Sequence, residues 1–235
     1  MKNKIILFLI FFTNSLFSQT GIITYKTTSN NKKKPPSERV KKTVEEINRA
    51  TYTLKYNKNY SFFSRDKIIP LYPLEAKLAS IWTSSNKDCY QYNGIIKKSY
   101  TNSEISNTMY IVSYEEKTNE WVLDSSVKII DGFTCYRATK KIFYPRTGVT
   151  GENIAWYTPE IPVPYGPAGY GGLPGLILQL QLGKKVIYLA QKIELNPKKK
   201  IKINKIKDGK IISVDEHVQL MRGARKYVPE EKDEN

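Results

Sequence analysis

Apolar and polar residues alternate along most of the chain, and short turn-forming segments separate the alternating runs. Gly21–Thr27 is the first run, and similar runs recur about every ten residues until position 212. Alternation with a period of two turns one face of a β-strand toward the core and the other toward solvent. The pattern therefore predicts an α+β fold that is mostly β and is built on an antiparallel meander sheet.

Residues typical of tight turns indicate where neighbouring strands pair. Asn-Gly or Asp-Gly between two strands favours a two-residue hairpin, and such pairs stand at 93–94, 131–132 and 208–209. A longer turn at 117–120 predicts that Met109–Tyr114 pairs with Trp121–Leu123. Turns this short predict a sheet in which most strands lie beside their neighbours in the chain.

Two segments have helical spacing instead. Apolar residues recur at three- and four-residue intervals within 37–47, at Val40, Val44 and Ile47, which is typical of a helix with one buried face. Ser213–Glu216 is a capping box that opens a second helix. We therefore expect one or two helices packed against the sheet.

The beginning of the chain indicates the compartment. Two lysines among the first four residues precede an unbroken apolar run and a short polar stretch, an order typical of a secretory signal peptide. We expect a signal peptide at 1–18, a single β-rich domain at 19–228 and a disordered tail at 229–235, with the mature protein in the periplasm or outside the cell. No apolar run is long enough to predict a membrane span. The alternative is a buried first strand or helix of a cytosolic protein.

The chain is strongly basic. The 235 residues include 38 Lys and Arg against 22 Asp and Glu, a formal net charge of +16. Such an excess suits nucleic acid or anionic surfaces. Because an exported chain rarely meets nucleic acid, we expect no nucleic acid, and we expect the basic excess to serve either solubility or contact with anionic lipid, lipopolysaccharide or acidic polymers. Lysine runs lie beside turn signals, where a solvated face is expected, at 32–34, 97–98, 140–141 and 198–200.

The two cysteines of the chain are Cys89 and Cys135. An even pair in an exported protein favours a disulfide, and both residues lie in strand-like segments, so a bridge between strands is predicted. Metal ligation would need further Cys or His ligands, and His217 is the only histidine. We expect no metal and no cofactor.

Glycine and proline are concentrated between residues 151 and 175, where the alternation stops. Proline fixes the backbone and glycine frees it, so an ordered loop is predicted there. A strand-like Leu-Ile-Leu-Gln-Leu follows the loop, whereas a phosphate-binding loop would lead into a helix. Gly175 follows Pro174, which predicts a type II turn with positive φ at the glycine.

Aromatic residues in and beside this loop are the candidate ligand site. They are Trp156, Tyr157, Tyr165 and Tyr170. Rings on a rigid loop can form a platform for an apolar or sugar-like ligand. The alternative is that they and the neighbouring apolar residues close one end of the sheet. The turn itself comprises Gly172, Leu173, Pro174, Gly175, Leu176 and Ile177.

An ordered series of motifs resembles a known family. Cys135-Tyr-Arg-Ala138, Ala155-Trp-Tyr-Thr158, Glu160-Ile-Pro162 and Gly172-Leu-Pro-Gly-Leu-Ile177 follow one another. The series resembles the GLPGLI family of exported proteins from Bacteroidetes-type bacteria, and its hexapeptide is complete here. The resemblance implies export but no particular reaction. The strand succession is also similar to periplasmic lipoprotein carriers, in which a curved antiparallel half-barrel wraps helices.

No catalytic set emerges from the sequence. His217 lies in the predicted second helix, where we expect it to face solvent, and a Ser-His or Cys-His pair would have to use it. Glu152 and Glu160 flank Trp156 and offer an alternative as a hydrolytic carboxylate pair. We expect a cell-envelope binding or accessory protein for an apolar or amphipathic ligand, such as an envelope lipid or peptide. A structural partner of an outer-membrane transporter is a further alternative.

Overall fold

The computed structural model describes residues 20–29, 37–93, 98–144, 148–184 and 186–226. The predicted signal peptide at 1–18 and the predicted tail at 229–235 lie outside these residues. The same is true of the lysine run at 32–34 and of the glycine in the expected Asn-Gly turn at 93–94.

The described residues form twelve strands and three helices, so the mostly β class predicted from the alternation is confirmed. The strands are β1 Gly21–Ser29, β2 Thr51–Tyr56, β3 Tyr60–Arg65, β4 Cys89–Tyr92, β5 Lys98–Ile105, β6 Thr108–Tyr114, β7 Val122–Ile130, β8 Phe133–Tyr144, β9 Val149–Thr158, β10 Leu176–Leu182, β11 Val186–Leu195 and β12 Lys210–Ser213. The helices are α1 Glu38–Arg49, α2 Pro73–Trp82 and α3 Val214–Lys226. Within the part of the chain that the structure describes, no helix is long and apolar enough to cross a membrane.

All twelve strands belong to one open, curved sheet, in the order β12-β6-β5-β4-β3-β2-β1-β11-β10-β9-β8-β7. Strands β1 to β6 and β7 to β11 are two antiparallel meanders, which join where β1 pairs with β11. The meander prediction is therefore confirmed for eleven strands. The exception is β12, which runs parallel to β6, a long-range pairing that no local turn signals.

The expected pairing of Met109–Tyr114 with Trp121–Leu123 is wrong. The first segment lies in β6, next to one edge of the sheet, and Val122 begins β7 at the opposite edge. The segment between them, 115–121, packs against the glycine- and proline-rich loop, since the Gly171 N–H donates to the Lys117 carbonyl oxygen at 3.1 Å. We call the face of the sheet that carries Tyr25 the inner face. The hairpin at Asp131-Gly132 is confirmed, because it joins β7 to β8 with positive φ at both residues.

Aromatic side chains from central strands fill the core on the inner face. Tyr52 stacks on Phe63 with ring centroids 5.5 Å apart, and Tyr188 meets Tyr52 edge-on at 5.0 Å. All three residues are fully buried. Helix α1 covers part of this cluster, and the Thr27 hydroxyl of β1 donates to the Ile47 carbonyl oxygen at 2.6 Å. Burial of large rings makes this cluster the main apolar core.

A buried carboxylate fixes the start of α2. Glu46 of α1 is fully buried, and its Oε1 accepts hydrogen bonds from the backbone N–H groups of Leu71 at 2.7 Å and Tyr72 at 2.9 Å. Arg49 lies 3.4 Å from the same oxygen. N–H groups at a helix start have no partner within the helix, and the helix dipole favours a negative charge there. Glu46 therefore links the two helices.

The expectation that the lysine run at 140–141 is a solvated face is wrong for Lys140. Its residue surface is only 3% exposed. Its ammonium group donates to the backbone carbonyl oxygens of Glu116 and Asn119 and lies 3.7 Å from the Glu120 carboxylate. Lys140 therefore anchors the segment that connects β6 to β7, and such tertiary contacts are not visible in a lysine pair.

Candidate functional site

The Gly/Pro loop lies against the inner face of the sheet, where side chains hold its backbone. The Gln91 side-chain amide donates to the Gly169 carbonyl oxygen at 3.0 Å and accepts from the Gly166 N–H at 3.4 Å. The Trp121 indole donates to the Gly171 carbonyl oxygen at 2.9 Å. These contacts come from parts of the chain that are distant in sequence, and they hold the loop in place against the inner face.

Two glycines allow this close approach. Gly172 has φ +83°, and a Cβ there would overlap the carbonyl oxygen of Thr118; Gly175 has φ +155°, and a Cβ there would overlap that of Thr158. The Gly175 N–H donates to the Leu173 carbonyl oxygen at 2.8 Å. This is a three-residue turn, so the expected type II turn is wrong. Positive φ at Gly175 is as expected.

The four candidate ligand-binding aromatics do not form one platform. Trp156 and Tyr157 are consecutive in β9 and so point to opposite faces. Tyr165 is buried, with its ring centroid 6.0 Å from that of Tyr56. Tyr170 is half-buried, and its hydroxyl accepts from the Asn153 amide at 3.3 Å.

The turn residues also pack as core. Leu173, Leu176 and Ile177 are buried, and Tyr157 is buried beside them. Trp156 lies on the outer face, where the Lys128 ammonium is 4.3 Å from its ring centroid. The packing of the turn residues therefore corresponds to the alternative in which they close one end of the sheet, whereas Trp156 does not take part in it.

The carboxylates proposed as a hydrolytic pair serve separate structural contacts. Glu152 lies 3.8 Å from the Arg137 guanidinium. Glu160 accepts a hydrogen bond from the Thr134 backbone N–H at 2.8 Å. Among the described residues, no group of three or more His, Cys, Asp and Glu side chains could hold a metal ion.

Both cysteines are free, buried thiols, so the disulfide expected from the sequence is not formed in this structure. Cys89 lies on β4 and Cys135 on β8, and six other strands stand between these two in the sheet. Burial raises the pKa of both thiols, to about 11 for Cys135. The sequence placed both cysteines in strands but contained no information on how far apart those strands lie in the sheet.

A cavity of about 250 Å³ lies between strands β4 to β6, the end of α2 and helix α3. No local sequence pattern indicates this cavity, because its walls come from elements far apart in the chain. The lining side chains that bear on its chemistry are Ile81, Lys87, Thr101, Tyr114, Lys117 and His217. The lining also includes the carboxylate of Glu116, an exposed residue.

A polar cluster joins α3 to the sheet at this cavity. Ser103 Oγ lies 2.9 Å from His217 Nε2 and accepts a hydrogen bond from the Lys87 ammonium at 2.7 Å. His217 is therefore half-buried against the sheet, and the expectation that it faces solvent is wrong. Burial and the nearby Lys87 charge lower the pKa of His217, and burial lowers the pKa of Lys87.

The second lysine of the cavity lies among aromatic rings. The Lys117 ammonium is 4.6 Å from the Tyr114 ring centroid and 5.5 Å from that of Tyr170, and it donates to the Ala168 carbonyl oxygen at 3.0 Å. Neither Lys117 nor Lys87 forms an ion pair with a carboxylate in the described part of the chain. The cavity thus contains two half-buried cations without carboxylate partners of their own.

Helix α2 exposes an apolar stripe beside the cavity. Ala76 and Ala79 face the core, whereas Leu74 and Ile81, seven residues apart on the same side, are 70% and 61% exposed. The stripe continues into the preceding loop, where Ile69 is 88% exposed. Apolar side chains therefore lie on both the buried and the exposed surface of α2, although Glu75 and Lys77 also belong to the helix. A surface helix normally confines its apolar residues to one face, so this weak separation of apolar and polar residues explains why the sequence pattern missed α2.

The comparisons with known proteins address the fold more than the site. A family model described as a protein of unknown function (Porph_ging) matches residues 146–179, which include the Gly/Pro loop and the hexapeptide. No curated protein matches the chain. Two structures of PNGF-II, in space groups P21 and C2, are similar to 88% of this chain, each with a TM-score of 0.56, at 14% and 16% identity. The chain spans only 34% of their length, so the likeness concerns the β-rich fold alone.

Proposed function

We propose that this chain is an exported cell-envelope binding protein for an amphipathic ligand with an anionic head group. The observation that carries the proposal is the pair of half-buried ammonium groups, Lys87 and Lys117, at one cavity. Each ammonium has a hydrogen-bond acceptor, Ser103 for Lys87 and the Ala168 carbonyl oxygen for Lys117, but neither has an opposite charge to offset the cost of its partial burial. A bound anion would supply that charge at both lysines.

The head group would occupy the cavity. The cavity volume of about 250 Å³ lies below the usual range for pockets that hold drug-sized ligands, roughly 300 to 1,000 Å³. A small anionic group, such as a carboxylate or a single phosphate, suits this size. The Thr101 hydroxyl and His217 supply further polar contacts in the lining.

The apolar part of the ligand would lie along the exposed stripe of α2. Ile81 both lines the cavity and belongs to this stripe, so the polar and apolar regions are continuous. Burial of apolar surface contributes about 25 cal/mol per Å². This location differs from the aromatic platform expected at the Gly/Pro loop, whose rings are largely used in packing.

The export part of the proposal is based on the sequence pattern at residues 1–18. An exported protein would meet ligands of the cell envelope. The hydrolase alternative receives no support from Glu152 and Glu160, because each carboxylate is engaged in a separate contact. A docking partner in the outer membrane would use the α2 stripe without needing the two lysines, and variants of the lysines distinguish the two cases.

Calorimetric titration with laurate, and with dodecanol as the neutral counterpart, tests the proposal. We expect laurate to bind and the double variant Lys87→Gln/Lys117→Gln to weaken its binding at least tenfold, about 1.4 kcal/mol, with little effect on dodecanol. Ile81→Asn should weaken both ligands. The control is Lys141→Gln/Lys205→Gln, which removes the same charge from exposed positions.

Thermal melting of each variant separates misfolding from a local effect. If laurate does not bind the parent, or binds the folded double variant as tightly as the parent, the proposal is wrong. Loss of binding in the α2 variant alone would instead favour the apolar docking surface.

A further inference from the structure

A second groove, of about 410 Å³, lies on the outer face of the sheet. Strands β1, β2 and β11 form its floor, and the irregular segment 197–202 folds back over them. Five of its lining residues are lysines: Lys55, Lys198, Lys199, Lys200 and Lys202. From the sequence, the lysine run at 198–200 was expected to be a solvated face.

The register of the sheet brings distant charges together at this groove. Ile22 of β1 stands opposite Lys55 on one side and opposite Glu194 on the other. Glu194 is the only carboxylate in the lining, and it forms an ion pair with Lys192. None of the five groove lysines has an ion pair in the described ranges. The groove therefore carries a local excess of positive charge.

Backbone contacts hold the lysine segment in place on both sides. Before it, the Asn196 N–H donates to the Thr20 carbonyl oxygen at 2.9 Å. After it, the Asn102 side chain donates to the Lys207 carbonyl oxygen and accepts from the Lys207 N–H, both at 3.0 Å. Like charges held close together repel one another, and a ligand with several negative charges would offset that repulsion.

We propose that this lysine groove binds a multiply phosphorylated ligand. A lysine ammonium is a compact point charge with three donors, which suits tetrahedral phosphate oxygens. The lining contains no arginine, so the lysines would hold phosphate as point charges and not through paired hydrogen bonds. Ile22, Pro197 and Ile201 supply an apolar floor beside the charges. The groove volume lies within the range of small-molecule sites.

Titration with inorganic tripolyphosphate tests the groove, and vesicles of phosphatidylcholine with and without phosphatidic acid test whether a lipid head group is the source of phosphate. We expect tripolyphosphate to bind, and the triple variant Lys198→Gln/Lys199→Gln/Lys200→Gln to weaken its binding at least tenfold. The matched control is Lys141→Gln/Lys205→Gln/Lys207→Gln, which loses the same charge outside the groove.

The outcomes separate a site from general charge attraction. Equal weakening in both triple variants, or no binding of either probe by the parent, overturns the proposal. Vesicle binding that depends on phosphatidic acid and on the groove lysines would identify a lipid phosphate, and tripolyphosphate binding alone would identify a free one. Lys87→Gln/Lys117→Gln should keep full tripolyphosphate binding, so this test is independent of the proposed function.

Discussion

The Tyr25 hydroxyl donates a 2.6 Å hydrogen bond to the carbonyl oxygen of Ile177, 152 positions later in the chain. Tyr25 lies on β1 and Ile177 on β10, and β11 stands between those strands. The residue opposite Tyr25 on β11 is Ala190, whose small side chain leaves room for the ring to reach across. Burial raises the pKa of Tyr25 well above its usual value, so the hydroxyl remains a donor. This hydrogen bond connects the turn at 172–177 to the centre of the sheet.

Removing that hydroxyl should destabilise the protein. Tyr25→Phe leaves a buried carbonyl oxygen without its partner, which costs about 1 to 3 kcal/mol. Urea unfolding monitored by circular dichroism measures the difference. Tyr136→Phe, at a residue that is 37% exposed, is the control and should change stability by less than about 0.5 kcal/mol. Equal stability of the two variants would contradict the role assigned to the Tyr25 hydrogen bond.

Gly172 should tolerate no side chain, whereas Gly132 should tolerate alanine better. Both have nearly the same φ, +83° and +81°, but a Cβ at Gly132 meets nothing within 4 Å. Gly132→Ala should cost only the backbone strain, about 1 to 2 kcal/mol. Gly172→Ala adds an overlap with the Thr118 carbonyl oxygen, so we expect a larger loss.

The pair of glycine variants isolates steric overlap because φ is matched. Unfolding free energies of both should be measured under the same conditions. A loss at Gly172 no greater than that at Gly132 would show that the loop can move away from the 115–121 segment. Gly175→Val should also destabilise the fold, since its Cβ would overlap the Thr158 carbonyl oxygen.

Both thiols should be unreactive in the folded protein. Burial raises their pKa values, to about 11 for Cys135, so at pH 8 each remains a protonated thiol, and the thiolate is the reactive form. Titration with Ellman's reagent should detect none in the native protein and two after unfolding without reductant. Detection of none after unfolding would show that the disulfide predicted from the sequence forms.

Stability should decrease as the pH falls below about 6.5, the usual pKa of histidine. The pKa of His217 is lowered in the folded protein, so the unfolded chain binds a proton first. The stability is therefore present above pH 6.5 and is lost as the pH falls through the lowered pKa. Unfolding free energies at pH 7.5 and 5.5 measure this loss.

His217→Gln is the matched variant for the pH measurement. The other charged groups near the cavity are the same in both proteins, so the difference between the two pH dependences belongs to His217. The variant should show a smaller decrease than the parent. Identical decreases would mean that contact with Lys87 and Ser103 does not affect the protonation of His217.

Short-range patterns predicted much of the secondary structure. Alternation identified strands because a β-strand turns every second side chain to one face. The predicted helix at 37–47 corresponds to α1, where the Ser37 side chain accepts from the Val40 N–H. The capping box at Ser213 is confirmed, since Glu216 N–H donates to the Ser213 hydroxyl at 3.2 Å and the Glu216 carboxylate accepts from the Ser213 N–H at 2.8 Å. Each of these contacts spans three residues.

The tertiary structure alone decided the order of the strands and the location of both sites. Ser103 and His217 meet across 114 positions, and Lys55 reaches the lysines at 198–202 only through the register of β1 with β2 and β11. Local periodicity carries information about which face a residue occupies, but pairing between distant strands depends on the free energy of the whole packed core. For this reason the sequence by itself determined a mostly β chain with a closing Gly/Pro loop, and only the fold brought the lysines together.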